Sequence, residues 1–140
     1  YKFTPPQKNT LCTEFLPSNH TEEHLLNKIA IETNLTTFRT KALGVSLIEM
    51  LKGNITAFYK PKVKPWDIMA GAGILSTADE WDITLVIENK EHISLFSNEN
   101  TMIKAINKAL QKNCRIGDLI ITLKSQPKLK QQLINHIQNP

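Results

Sequence analysis

The stretch KPWDIMAGAGIL, Lys64 to Leu75, sets a carboxylate at the head of a segment built for burial. Asp67 follows a proline and a tryptophan, and the apolar run after it is broken by Ala70, Gly71, Ala72 and Gly73. Two kinds of chemistry suit an acid in that position. It can cap a helix, interacting with the unpaired amides of the first turn and the positive end of the dipole. Held by a rigid buried helix, it can instead be an oxygen ligand to a hard cation such as Mg²⁺, which takes one or two carboxylates together with phosphate oxygens. The small residues that follow let the helix pack closely on a neighbour under either reading.

Other reactive side chains give less. His20 and His24 stand four apart, as in helical metal pairs, but no glutamate follows His20 directly, so both read as surface histidines, like His92 and His136. Trp81-Asp82 repeats the Trp-Asp pair, yet it opens the strand-like ITLVIE with no small-residue helix behind it; Trp81 reads as core or sheet-edge packing. Lys104, Lys108, Lys112 and Arg115 share a helix face, which is first a solvated face and second an anion-binding patch. Cys12 reads as a packed thiol, with no base in a nucleophile-like context nearby. No residue is assigned as catalytic.

The chain of 140 residues suffices for a single domain spanning residues 1–140, and 41% hydrophobic with 21% charged residues is a globular composition. The formal charge of +4 is mild and spread along the chain. It suits an anionic small molecule better than a nucleic acid polymer, since Arg39 and Arg115 are the only arginines available for bidentate base readout. Cys12 and Cys114 fit no CxxC or zinc spacing; a disulfide between them stays open, but a reduced, cytoplasmic protein is the preferred reading. No apolar run reaches the roughly 18 residues of a membrane span, so no membrane role is expected. The opening YKFTPPQKNT has no methionine and leads early into a strand, as if the chain were a fragment of something longer.

Strands and helices alternate. Strands are expected over NTLCTEF, near Thr37–Arg39, over ITAFYK, WDITLVIENK and GDLIITLK, and EHISLF is a further candidate. Helices are expected from about Glu22 to Glu32 behind the cap Thr21, and over LGVSLIEMLKGN, with Gly44 at its start, Leu47, Ile48 and Leu51 as its apolar stripe and Gly53 ending it. Further helices are expected from near Asp67, over NTMIKAINKALQKN, and over SQPKLKQQLINHI with Ser125 as cap and Pro127 in the first turn. PKVKP reads as a proline-bounded loop. The class is α/β, with a mixed central sheet of about five strands flanked by helices.

Within that frame KPWDIMAGAGIL resembles the second signature of the inositol monophosphatase superfamily, in which Trp-Asp is followed by a helix containing Ala-Gly. TLCTEFLPSNHTEE is similar to the strand, Ser-rich turn and helix of that family, ALGVSLIEMLKGNITAFY to its Gly-Ser helix and following strand, and GDLIITLKSQPKLKQQL to its closing strand and helix. The resemblance covers most of the chain and only the C-terminal half of the family's fold. It implies a Mg²⁺-dependent, lithium-sensitive phosphatase acting on inositol monophosphate or a related sugar or nucleotide phosphate. Asp67 would then bind a catalytic Mg²⁺, Ser18 would lie on a turn facing the substrate, and Gly44, Val45 and Ser46 would bring backbone amides to it.

The departures matter as much. The acidic Asp-Pro-Asp-Gly-Thr motif that supplies most metal ligands in the family would precede Tyr1, and STADEWD stands where the family has Glu-Ala-Gly-Gly. The chain alone is therefore expected to be inactive, and to associate with the missing N-terminal half or with a second copy. Lys60 stands where inositol-specific members carry an acid, which points to substrates with a second phosphate, such as 3′-phosphoadenosine nucleotides. The alternative is a divergent, non-catalytic domain of the same fold serving interaction or regulation.

Overall fold

A computed structural model describes residues 2–7, 9–14, 20–40, 42–67, 80–87, 92–94, 104, 107 and 117–139. Strand β1 (Thr10–Glu14) leads through α1 (His20–Thr33) to β2 (Thr36–Thr40), and α2 (Leu43–Leu51) leads to β3 (Ala57–Val63). Strands β4 (Trp81–Ile87), β5 (His92–Ser94) and β6 (Gly117–Leu123) follow, and helix α3 (Pro127–Gln138) closes the described chain. The strands form one sheet in the order β2-β1-β3-β6-β4-β5. β1 pairs in parallel with both β2 and β3, whereas β3–β6, β6–β4 and β4–β5 are antiparallel. The sheet is mixed, as expected, with six strands rather than about five because the short β5 extends it.

The two helical crossovers cover opposite faces. From β1 the chain moves one way to β2; from β2 it returns past β1 to β3. Right-handed crossovers travelling in opposite directions place their helices on opposite sides. Accordingly Leu26 and Ile29 of α1 pack with Leu11, Tyr59, Ile120 and, from α3, Leu133 and Ile134. Leu43, Leu47 and Met50 of α2 pack with Cys12, Phe58, Trp81, Ile83 and Ile121 on the other face. Trp81 is fully buried, in keeping with its reading as core.

Both crossover helices end in the same way. After α1, the Leu35 amide donates to the Ala30 carbonyl and that of Asn34 to Ile31. After α2, the Asn54 amide donates to Glu49 and that of Gly53 to Met50. Each is a Schellman closure with a left-handed residue at its centre, Asn34 at φ 57° and Gly53 at φ 81°. Beside the second closure Glu49 is held below the usual carboxylate range, chiefly by the Asn54 side-chain hydrogen bond and then by Lys52.

Five expectations need correction. The PKVKP segment is not a loop: β3 runs on to Val63 through a register shift between Lys60 and Val63, with Lys62 at φ 53°. Such a bulge accommodates Pro61, which has no amide to give the ladder. The cap of α3 is Gln126 rather than Ser125, because Pro127 occupies the first helical position and fixes the start there. Ile48 is half exposed, and α2 buries Leu43, Ser46, Leu47 and Met50 instead, the stripe having turned by one residue. His136 is not a bare surface residue but bridges α3 to Glu32 of α1 at 2.6 Å. Helix α1 already begins at His20, so Thr21 lies inside it and is not its cap. The helix expected over NTMIKAINKALQKN and Cys114 lie outside what is described, except that Lys104 and Asn107 are helical and exposed.

Two glycines of α2 should respond oppositely to alanine. A Cβ on Gly53 would stand 2.9 Å from the Pro5 carbonyl oxygen at a positive φ, whereas one on Gly44 meets nothing within 4 Å. Gly53→Ala is expected to cost about 1–3 kcal/mol in urea unfolding, and Gly44→Ala to be neutral or to gain up to about 1 kcal/mol.

Candidate functional site

In open α/β sheets, ligands settle outside the carboxyl ends of the strands where the strand order reverses; for a 2-1-3 order that point lies between β1 and β3. The sheet has that order at its parallel end. The described site residues leave its carboxyl edge: Gly44 to Ser46 after β2, Lys60 midway along β3 and Asp67 just beyond it. Ser18 lies outside the described residues.

Asp67 and Lys60 are in direct contact. Lys60 Nζ lies 3.3 Å from Asp67 Oδ1, with the side chains only 17% and 15% exposed. The other carboxylate oxygen, Oδ2, accepts the backbone N–H of Lys64 at 2.9 Å, and the Asp67 amide donates to the Lys64 carbonyl at 3.0 Å. Residues Pro65 to Asp67 are helical, so this helix starts two residues before Asp67. Pro65 stands at the first helical position, Lys64 is the cap, and Asp67 at the third position reaches back to the cap's amide, one half of a capping box. The capping use considered for Asp67 is thus realised. The apolar helix expected beyond it, including Gly71 and Gly73, lies outside the described residues.

The fit of this arrangement to Mg²⁺ can be judged from its donors. Mg²⁺ needs oxygen ligands in near-octahedral array. As arranged, one Asp67 oxygen faces an ammonium and the other is occupied by an amide. Among the described residues no three His, Cys, Asp or Glu side chains come together as a metal site. The described side chains do not fit the ion.

Ser46, Gly44 and Val45 divide. Ser46 is fully buried. Its Oγ shares a hydrogen bond with Thr40 Oγ1, accepts from Cys12 Sγ at 3.5 Å and donates to the Ala42 carbonyl at 3.4 Å. The hydroxyl therefore ties α2 to the carboxyl ends of β1 and β2. Gly44 and Val45 are exposed in the first turn, behind a cap, Ala42, that makes no side-chain hydrogen bond. Their amides belong to the unsatisfied set at a helix start.

Two contributors escaped the sequence reading. Lys64 supplies the amide held by Asp67, and its ammonium lies 4.9 Å from the centroid of the exposed Trp66 ring. Asp118 fixes the bulge that follows Lys60: Oδ1 accepts the Lys62 amide at 2.9 Å and Oδ2 the Tyr59 hydroxyl at 3.1 Å. The signal for Lys64 was present, since a proline at the first helical position sets the cap one residue before it. Asp118 carried none, because its contacts are 56 and 59 residues away in sequence. Ser46→Ala should lower stability by about 1–2 kcal/mol, by leaving Thr40 without its buried partner, and leave binding of any ligand at this edge unchanged; urea unfolding and a ligand titration on the same variant check both.

No family model matches the chain, and no curated protein matches it. Solved structures do. The crystal structure of SaIMPase-II with bound inositol monophosphate superposes with a TM-score of 0.58 at 12% identity, over 100% of this chain and 46% of that one. SaIMPase-II with bound 2′AMP gives 0.57 at 12% identity, over 99% and 46%. Inositol monophosphatase from Anabaena (Nostoc) sp. PCC 7120 gives 0.54 at 20% identity, over 94% and 46%. The chain spans less than half the length of these structures and shares with them the fold of an inositol monophosphatase domain.

Proposed function

We propose that the chain is a phosphate-ester-binding domain of inositol monophosphatase type, which holds a small phosphorylated molecule at the carboxyl edge of β1 and β3 and does not hydrolyse it alone. The observation that carries this reading is the superposition of the whole chain on inositol monophosphatase structures, two of them bound to phosphate monoesters. The amides of Gly44 and Val45, exposed residues at the start of α2, suit an anion, as helix N-termini do. Lys60 supplies positive charge at the same edge. Ser18, which follows β1 in the sequence, belongs to the same proposed site. The ligand class is inositol monophosphate or a related sugar or nucleotide phosphate.

Catalysis in this reading belongs to a longer assembly. A Mg²⁺-dependent phosphomonoesterase needs a carboxylate cluster, which a missing N-terminal half or a second copy would have to contribute. The contact of Lys60 with Asp67 favours the second reading, a domain that keeps the fold and the ester but has given up the chemistry.

Titration of the ¹⁵N-labelled chain with inositol monophosphate and 2′-AMP should move the amide signals of Gly44, Val45 and Lys60; unchanged spectra with both esters would sink the binding reading. Phosphate release by the full-length gene product, dependent on Mg²⁺ and depressed by Li⁺, would decide for the enzyme over the non-catalytic domain. Lys60→Glu should shift relative affinity away from adenosine 3′,5′-bisphosphate and toward inositol monophosphate by about tenfold, the weight of roughly one charged contact.

A further inference from the structure

Asp67 carries one negative charge, and everything described around it is positive or a hydrogen-bond donor. Lys60 meets one oxygen, the Lys64 amide meets the other, and the Lys64 ammonium lies over the Trp66 ring. The segment from Lys60 to Asp67 holds Lys60, Lys62 and Lys64 against a single acid, a local balance of +2. A divalent cation arriving at Asp67 would have to displace an ammonium fixed to a strand paired on both sides. The Lys60 and Asp67 side chains are largely shielded from solvent, so salt screens the repulsion poorly.

We infer that Lys60 is a built-in substitute for a divalent metal ion at Asp67: its ammonium balances the carboxylate and keeps metal ions out. The inference deepens the reading above and rests on it for the identity of the anion, but not for the identity of the cation. Lysine differs from a metal ion in having no open coordination position. It can balance and attract charge but cannot generate a hydroxide from bound water. An edge so arranged binds an ester and leaves it intact.

The test uses Mn²⁺ alone, with no ester present, so that its failure is separate from failure of ester binding. Paramagnetic broadening of the amide signals of Lys64 and Asp67 is followed in the ¹⁵N-labelled chain. The wild-type signals should persist, as should those of Lys60→Arg, which keeps the charge. In Lys60→Gln the same signals should broaden, with apparent Mn²⁺ affinity about 10- to 100-fold tighter than wild type, and Asp67→Asn added to that variant should abolish the gain. Lys60→Met serves if Lys60→Gln does not fold, the amide spectrum being the check. Broadening at Asp67 as strong in wild type as in Lys60→Gln overturns the inference, as does a folded Lys60→Gln or Lys60→Met chain that takes up no Mn²⁺.

Discussion

Strand β1 is paired in parallel on both sides, and the rest of the molecule follows from that constraint. A strand with parallel neighbours to left and right requires the chain to leave one way and return the other. The return puts α1 and α2 on opposite faces, and with them the two cores. It also buries the middle of β1: Leu11 and Cys12 are inaccessible, and Thr13 nearly so. The carboxyl ends of three adjacent parallel strands then form one edge. That edge is where the amides of α2 begin and where β3 delivers Lys60 and Asp67. The antiparallel strands β6, β4 and β5 widen the sheet, and β6 brings Asp118 beside this edge.

At the edge itself the decisive contact joins one lysine to one aspartate. Each partner is placed by backbone rather than by the other. Asp67 is oriented by the helix start that it caps, and Lys60 by the ladder and by the bulge that Asp118 holds after it. Their meeting is therefore a property of two independent pieces of local geometry. A partly buried pair of this kind resists loss of either member, because the remaining charge would stand in a poorly solvated place.

Much of this was legible in the sequence. The parallel half was readable because its helices carry apolar stripes, the second with a clear stop at Gly53, and its strands carry β-branched and aromatic residues. The mixed character of the sheet and its helical cover were expected from the alternation of elements. What failed did so where local rules compete. Proline reads as a breaker, yet Pro61 sits in a strand because a bulge excuses its missing amide; Pro127 outranks Ser125 in setting a helix start. For the site, Asp67 and Lys60 were singled out separately, one as a metal ligand and one as a substrate contact. Their contact was hidden because a seven-residue gap in sequence says nothing about distance until the bulge is known. Ser46 was expected, from the resemblance, to bring a backbone amide to a ligand; its side chain is turned inward by helix periodicity, between Cys12 and Thr40.

The chain has two tryptophans, and the fold separates their surroundings completely. Trp81 is sealed in the core beneath α2, while Trp66 is 56% exposed next to Asp67, with a lysine ammonium over its ring. Their emission should divide accordingly. A blue, unquenchable component reports the integrity of the core, and a red, iodide-accessible one reports the carboxyl edge. The molecule thus contains its own pair of optical probes, one for folding and one for occupancy of the edge, with no label to be added.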